Sequence, residues 1–279
     1  MANVRPSQPV ALSIDGSMFS ADLHEFHDLA IAQDFDGAQP RWFDAPPARS
    51  AALSAGGFSG RVEHGASCNC STLTLTPHCD GTHTECAGHL TREPLAVRTV
   101  APAGLVPALL VSVTPVAAGQ SVESTRPLPL SGDLLITAAA LMQAWPAQLP
   151  FAPRALIVRT LPNAAHKRTR DYRSEPAAFL SLPAAALMVA RGIEHMVLDV
   201  PSADRASDGG LLSAHREFFG LPAGSVALPA VGRPQCTITE LAFIDDAAAD
   251  GCYLLGLQLP ALGGDALPSR PLLYPVRPA

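Results

Sequence analysis

The chain has 279 residues, 48% of them hydrophobic, with 19 basic and 25 acidic side chains and a formal net charge of -6. Such a composition supplies a core and excludes bulk disorder. The acidic balance argues against a nucleic-acid footprint or a general pull toward anionic membrane, which leaves small molecules as the expected partners.

The opening residues Met1-Ala2-Asn3-Val4-Arg5-Pro6 lead into a polar, proline-interrupted stretch with no apolar signal-peptide core, and no later run reaches spanning length without Pro or charge. A cytoplasmic protein is expected, and with it six reduced cysteines instead of disulfides. Val10-Ala11-Leu12-Ser13-Ile14 reads as an opening strand. Residues 21–32 have the pattern of a short amphipathic helix, which would set His24 and His27 side by side on a solvated face. Trp42 and Phe43 stand in a proline-rich loop, where they either line a pocket or pack against the rest of the protein. Residues 1–65 are read as an irregular, loop-rich N-terminal arm and residues 66–279 as the main domain.

Thr72-Leu73-Thr74-Leu75-Thr76 alternates polar and apolar residues and reads as a strand. Directly after it, Pro77-His78-Cys79-Asp80-Gly81-Thr82-His83-Thr84-Glu85-Cys86-Ala87-Gly88-His89 packs three histidines, two cysteines and two carboxylates into thirteen residues. Along an extended backbone, residues two apart face the same way, so Cys79, His83, Glu85 and His89 project to one side. Gly81 lets the backbone pass close to whatever sits there. Such a set suits a metal ion. Parity favours Cys79 over His78, whereas a bulge at Gly81 would reverse that facing. The cysteines at 68, 70, 79 and 86 do not form the C-x-x-C pairs of a zinc finger. Cys86 or Cys79 with His89 also has the makings of a thiol nucleophile. No G-x-S-x-G elbow, P-loop or G-x-G-x-x-G is present.

Further along, residues 106–113 read as a strand, and Ser131-Gly132-Asp133 offers the N-cap of a helix running to about Trp145. Ala155-Leu156-Ile157-Val158-Arg159-Thr160 is the continuous apolar run of a strand buried on both faces. The loop at 166–173 holds Lys167, the sole lysine, with three arginines: either a solvated turn or an attraction for an anionic substrate. Residues 182–192 carry helix signals, Pro in the first turn and Gly at the end. Strands follow at 195–200, 236–243 and 252–259. Strand, helix and strand in this order predict one α/β domain.

The histidine stretch resembles the H-x-G-T-H-x-D-x-P-x-H signature of the cyclase family of metal-dependent hydrolases, to which bacterial kynurenine formamidase and isatin hydrolase belong. Gly81-Thr82-His83 and His89 fall in place, whereas Glu85 stands where the family has Asp, Ala87 where it has Pro and Cys79 where it has the first His. His78 lies one position early. Arg191-Gly192 with Val197 to Asp204 resembles the family's helix, apolar strand and D-x-x-S-x-D turn. His215 stands after that turn, where the family supplies a further ligand, and Glu240 is similar to the Glu of its E-x-L segment. Leu257 to Asp265 with Pro268-Ser269-Arg270 resembles the closing strand and turn, so the likeness runs from about residue 72 to 279.

The resemblance implies a swivelling β/β/α fold, usually oligomeric, with one or two Zn or Mn ions. Its ligands would be Cys79, His83, Glu85, His215 and Glu240, with His89 as the proton shuttle. The implied activity is hydrolysis of a non-peptide amide, either a formamide or a cyclic amide. Because the first ligand is changed and Asp has become Glu, the alternative is a metal-free relative that binds without hydrolysis.

Overall fold

The computed structural model describes residues 9–279, so the leaderless opening expected at residues 1–6 lies outside the described residues. Taken along the chain, the strands of the main sheet are β1 (His27–Asp28), β2 (His83–Cys86), β3 (Leu105–Val113), β4 (Ala155–Thr160), β5 (His195–Leu198), β6 (Thr237–Glu240), β7 (Gly251–Gln258), β8 (Ala266–Pro268) and β9 (Arg270–Pro275). They lie in the order β8, β2, β6, β5, β4, β3, β7, β9, β1. The central strands β6, β5, β4 and β3 are parallel, and the pairs outside them are antiparallel. Parallel neighbours need crossovers. Helices α1 (Ala138–Ala144), α2 (Leu182–Ala190) and α3 (Ser213–Phe219) fall within them, after β3, β4 and β5 in turn.

Side-chain parity divides the core in two. Leu109, Val111, Leu156, Val158, Met196 and Leu198 point to the helix side, against Met188 and Phe218. The alternate residues Ala108, Leu110, Ile157 and Val197 point the other way and meet Tyr253, Leu255 and Leu273 of the outer strands. That second cluster joins central to outer strands, so the sheet curls over its own apolar face. Each buried Leu contributes about 1.5–3 kcal/mol relative to an exposed one, and this double-sided burial is why β4 reads as an unbroken apolar run. The predicted α/β class holds.

Helix α2 follows its sequence signals: the Ser181 hydroxyl accepts from Ala184 N at 3.1 Å, Pro183 sits in the first turn, and Gly192 takes φ +76 just beyond the end. Two expectations are corrected. The helix expected from Ser131 begins later, because the Asp133 carboxylate accepts from Leu130 N and closes a turn, residues 134–136 form a strand, and Thr137 caps α1. No helix forms over residues 21–32. Asp22 accepts from His24 N and Asp28 from Ala30 N, and these local side-chain bonds favour turns over helix. His27 instead enters β1 opposite Leu273.

The hairpin of Val10–Ile14 and Ser17–Ala21 pairs with Arg277–Pro278 and so ties the two ends of the described chain together. All six cysteines are free thiols. Among the described residues, no helix is long and apolar enough to cross a membrane.

Candidate metal centre

Register builds the centre. In the antiparallel β2/β6 pair, His83 lies opposite Glu240 and Glu85 opposite Ile238, and directly opposed residues share a face. Ile238 belongs to the helix-side core, so His83, Glu85 and Glu240 all point toward the layer that holds α3. Thr84 and Thr239 take the opposite face and share a 2.7 Å hydrogen bond. On the other edge of β2, Ala266 of β8 lies opposite Glu85, which brings Asp265 to the same end of the strand. Helix α3 then supplies His215 from above.

Nε2 of His215 lies 2.8 Å from Glu85 Oε1 and 3.5 Å from Glu240 Oε1, and Nε2 of His83 lies 3.5 Å from Glu240 Oε2. Neighbouring groups fix which ring atom faces inward. Nδ1 of His83 is 3.0 Å from the Gly81 carbonyl, and Nδ1 of His215 is 2.7 Å from Asp204 Oδ2. Asp204 also accepts from Ala214 N and His215 N, so one carboxylate both starts α3 and orients its histidine. Ala203 N donates to Glu240 Oε1 at 2.6 Å.

The donor set passes a simple test of fit for a cation. Nε2 of His83 and Oε1 of Glu85 are buried without a hydrogen-bond partner. Glu85 Oε1 faces His215 Nε2 at 2.8 Å as an ion pair, whereas His83 Nε2 has no such close partner. Buried polar atoms left over in this way call for an explanation, and a shared ion is one. The groups His78, His83, Glu85; His78, His89, Asp265; and Glu85, His215, Glu240 each have ligand atoms within 4.8 Å of one another. Mixed imidazole and carboxylate donors accept Zn or Mn.

Electrostatics point the same way. Burial would raise the Glu85 carboxyl, yet the charges of His215 and His89 hold it well below the usual carboxylate range. Burial would lower His215, but Glu85 and its bond to Asp204 raise it well above 6.5. His78 is likewise pushed up to about 10, its desolvation outweighed by Asp265 and Glu85. Without an ion, protons supply the positive charge among these carboxylates, so protons and metal compete for the same place.

The centre gathers His83, Glu85, His215 and Glu240 as expected, with His89 close by: its ring centroid is 4.1 Å from that of His78 and 5.9 Å from that of His215. It does not gather Cys79, which packs against Trp42, Tyr172 and Leu241. The parity argument fails there because the strand ends at Thr74 and residues 76–80 form a turn, with Cys79 N and Asp80 N both donating to Thr76 O. His78 turns inward instead, with Nδ1 2.9 Å from Glu85 Oε2. The restoring feature is thus the turn before Gly81, and Gly81 itself (φ +152) is packed so closely that a Cβ there would lie 2.7 Å from Gln33 Oε1.

The thiols are poor nucleophiles. Burial pushes Cys79 up to about 11 and Cys86 up to about 12, and Cys86 donates to Leu95 O. The loop lysine is neither solvated nor free to attract substrate: Lys167 is buried, with Nζ 2.8 Å from Asp199 Oδ2. Trp42 is buried and Phe43 exposed, and both border a cavity of about 390 Å³ that also touches Tyr172, Asp204 and Arg205. Asp204 and Asp265 were not singled out from sequence. The D-x-x-S-x-D turn was the available signal for Asp204, whereas Asp265 has no local pattern.

The family model named Cyclase matches residues 27–205. No curated protein matches the chain. Among solved structures, a protein from Bacillus stearothermophilus described as a predicted metal-dependent hydrolase is 17% identical, with TM-score 0.56, covering 90% of this chain and 98% of that one. Isatin hydrolase A from Labrenzia aggregata, bound to benzyl benzoate, is 14% identical, with TM-score 0.59 and coverage of 90% and 93%. Isatin hydrolase A from Ralstonia solanacearum is 16% identical, with TM-score 0.59 and coverage of 90% and 91%. At these identities the likeness is one of fold.

Proposed function

The chain belongs to the Cyclase family, and from that premise we propose that it is a metal-dependent hydrolase of a small non-peptide amide, either a formamide or a cyclic amide. The observation that carries this reading is the buried His83 Nε2, left without a hydrogen-bond partner at a place where Glu85, His215, Glu240 and His78 converge. His78, His83, Glu85, His215 and Glu240 would hold one or two Zn or Mn ions. When bound, such an ion supplies Lewis acidity and lowers the pKa of a coordinated water toward about 7.

The chain's own residues do the rest. His89 lies at the open edge, its Nδ1 3.5 Å from Asp265 Oδ2, which leaves Nε2 to take a proton from the attacking water and return it to the leaving nitrogen. Asp204 holds the His215 ring, and Ala203 N holds Glu240, so the buried donors stay in place while the substrate is exchanged. The aromatic cavity bordered by Trp42, Phe43 and Tyr172 suits a flat ring, and it reaches Asp204 beside the centre. The isatin hydrolase neighbours support a cyclic aromatic amide as the first substrate to try.

The metal-free alternative rests on the change of the first histidine ligand and of Asp to Glu; Glu85 keeps a carboxylate within reach of His78 and His215. The inward turn of His78 supplies that nitrogen by another route and favours the metal-dependent reading. Elemental analysis of protein purified without added metal, followed by hydrolysis assays on isatin and an N-formyl aromatic amine, tests the proposal. Stoichiometric Zn or Mn and chelator-sensitive turnover of either compound are expected. A folded protein that takes up no divalent ion at any pH would overturn it.

A further inference from the structure

Resting on the reading above, we infer that Asp265 is a positioning residue: its carboxylate holds His78 in the place vacated by Cys79 and at the same time steadies the ring of His89. The geometry points to one carboxylate serving two imidazoles. Asp265 Oδ2 lies 2.8 Å from His78 Nε2 and 3.5 Å from His89 Nδ1. With Nε2 engaged there, His78 presents Nδ1 to Glu85 at 2.9 Å. The same contact therefore selects the ring atom offered to the ion, as carboxylates behind ligating histidines do.

Two features show that this approach is built in. Cys86 N donates to Asp265 O at 3.0 Å, which fixes the Asp265 backbone against the end of β2. Gly88 lies under it: a Cβ on Gly88 would come within 2.3 Å of Leu95 O and 3.2 Å of Asp265 Cβ, so the close approach of the Asp265 side chain to this turn needs a glycine there. A ligand supplied from a turn has no sheet register to hold it. His83 and Glu85 are held by the β2/β6 pairing, whereas His78 precedes the strand and depends on its side-chain contacts for its position.

The test is a Zn²⁺ titration of the metal-stripped protein, with the visible spectrum of the Co²⁺-loaded protein as a report of coordination geometry. The variants are Asp265→Ala, Asp265→Asn, His78→Ala and the His78→Ala/Asp265→Ala double variant. Asp265→Ala should weaken Zn²⁺ binding about 10- to 100-fold and shift the Co²⁺ spectrum, the usual consequence of losing a carboxylate behind a ligating histidine. The double variant should bind no more weakly than His78→Ala alone, because the two residues act through one contact. Should Asp265→Ala fail to fold, Asp265→Asn, which keeps the shape and loses the charge, carries the same test with a smaller loss in the same direction.

Tight binding by the wild type with unchanged affinity and spectrum in the Asp265 variants would overturn this inference alone. So would losses that simply add in the double variant. Absence of Zn²⁺ binding by the wild type would overturn the metal-dependent reading, and this inference with it.

Discussion

The proposed centre has a buried half and an open half, and they are held by different means. Glu85 and His215 are 1% and 2% exposed at the side chain, and with His83 and Glu240 they are placed by the β2/β6 register and by α3. His78, His89 and Asp265 are 27%, 27% and 40% exposed and come from the segments on either side of β2 and before β8. The sheet fixes His83, Glu85 and Glu240 by register, and the Asp204 carboxylate fixes His215 on α3. The open half depends on a few carboxylate–imidazole contacts, and it is the half that solvent reaches. In the proposed centre most donors for the ion sit in the rigid half and the proton-moving group sits in the accessible half, with His78 the one donor that the open half lends.

The sharpest way to break this comparison is to remove a donor from the buried half. Glu85→Ala takes away the carboxylate shared by His78 and His215, and Zn²⁺ affinity should fall by more than the roughly 10- to 100-fold that an outer partner costs. Calorimetric titration of the metal-stripped variant measures it, and wild-type affinity would remove Glu85 from the ligand set. In the open half, His89→Ala should keep the metal and lose about 10²- to 10⁴-fold in turnover of whichever amide the wild type hydrolyses. Equal turnover would show that His89 moves no proton in the reaction.

A third change probes the support of the buried half. Asp204→Asn removes the charge that holds His215 Nδ1 while retaining much of the α3 cap, and should weaken Zn²⁺ binding about 10- to 100-fold. An unchanged titration would mean that packing against Phe219 alone sets the ring.

His195 sharpens the comparison from outside the centre. It is as buried as His215, yet it faces the Thr237 hydroxyl, with Glu194, Arg154 and Arg233 nearby, and burial pushes it down to about 4. A histidine lowered on folding binds its proton more readily in the unfolded chain, so its contribution to stability is present above about 6.5 and is lost as pH falls toward 4. Between pH 7 and 5.5 the wild type should lose about 1 kcal/mol that a His195→Gln variant does not. Denaturant midpoints of the two proteins at both pH values supply the measurement, and parallel losses would contradict the shift.

The smallest effect is expected at Cys79→Ser. Because the thiol packs against Trp42, Tyr172 and Leu241, metal affinity should stay within about threefold, with a stability cost of about 1 kcal/mol for burying a hydroxyl. A strong loss of Zn²⁺ binding would return Cys79 to the ligand set.

Much of this protein was legible in its residues. Continuous apolar runs at β3 and β4, the Pro and Gly signals of α2, and the two-residue spacing of His83 and Glu85 each express a local rule, and each rule holds in the fold. The crowding of imidazoles and carboxylates in one short stretch marked the centre for the same reason. Three decisions were tertiary. The choice of His78 over Cys79 turned on where the strand stops, since alternation of facing has no meaning inside the turn at 76–80. The burial of Lys167 followed from Asp199, the residue just past β5, which the charge run at 166–173 could not announce. Asp265 meets its histidines by proximity alone, and the turn motif that marks Asp204 does not say which ring it will hold, because a carboxylate has no periodicity to mark which distant histidine the folded chain will bring beside it.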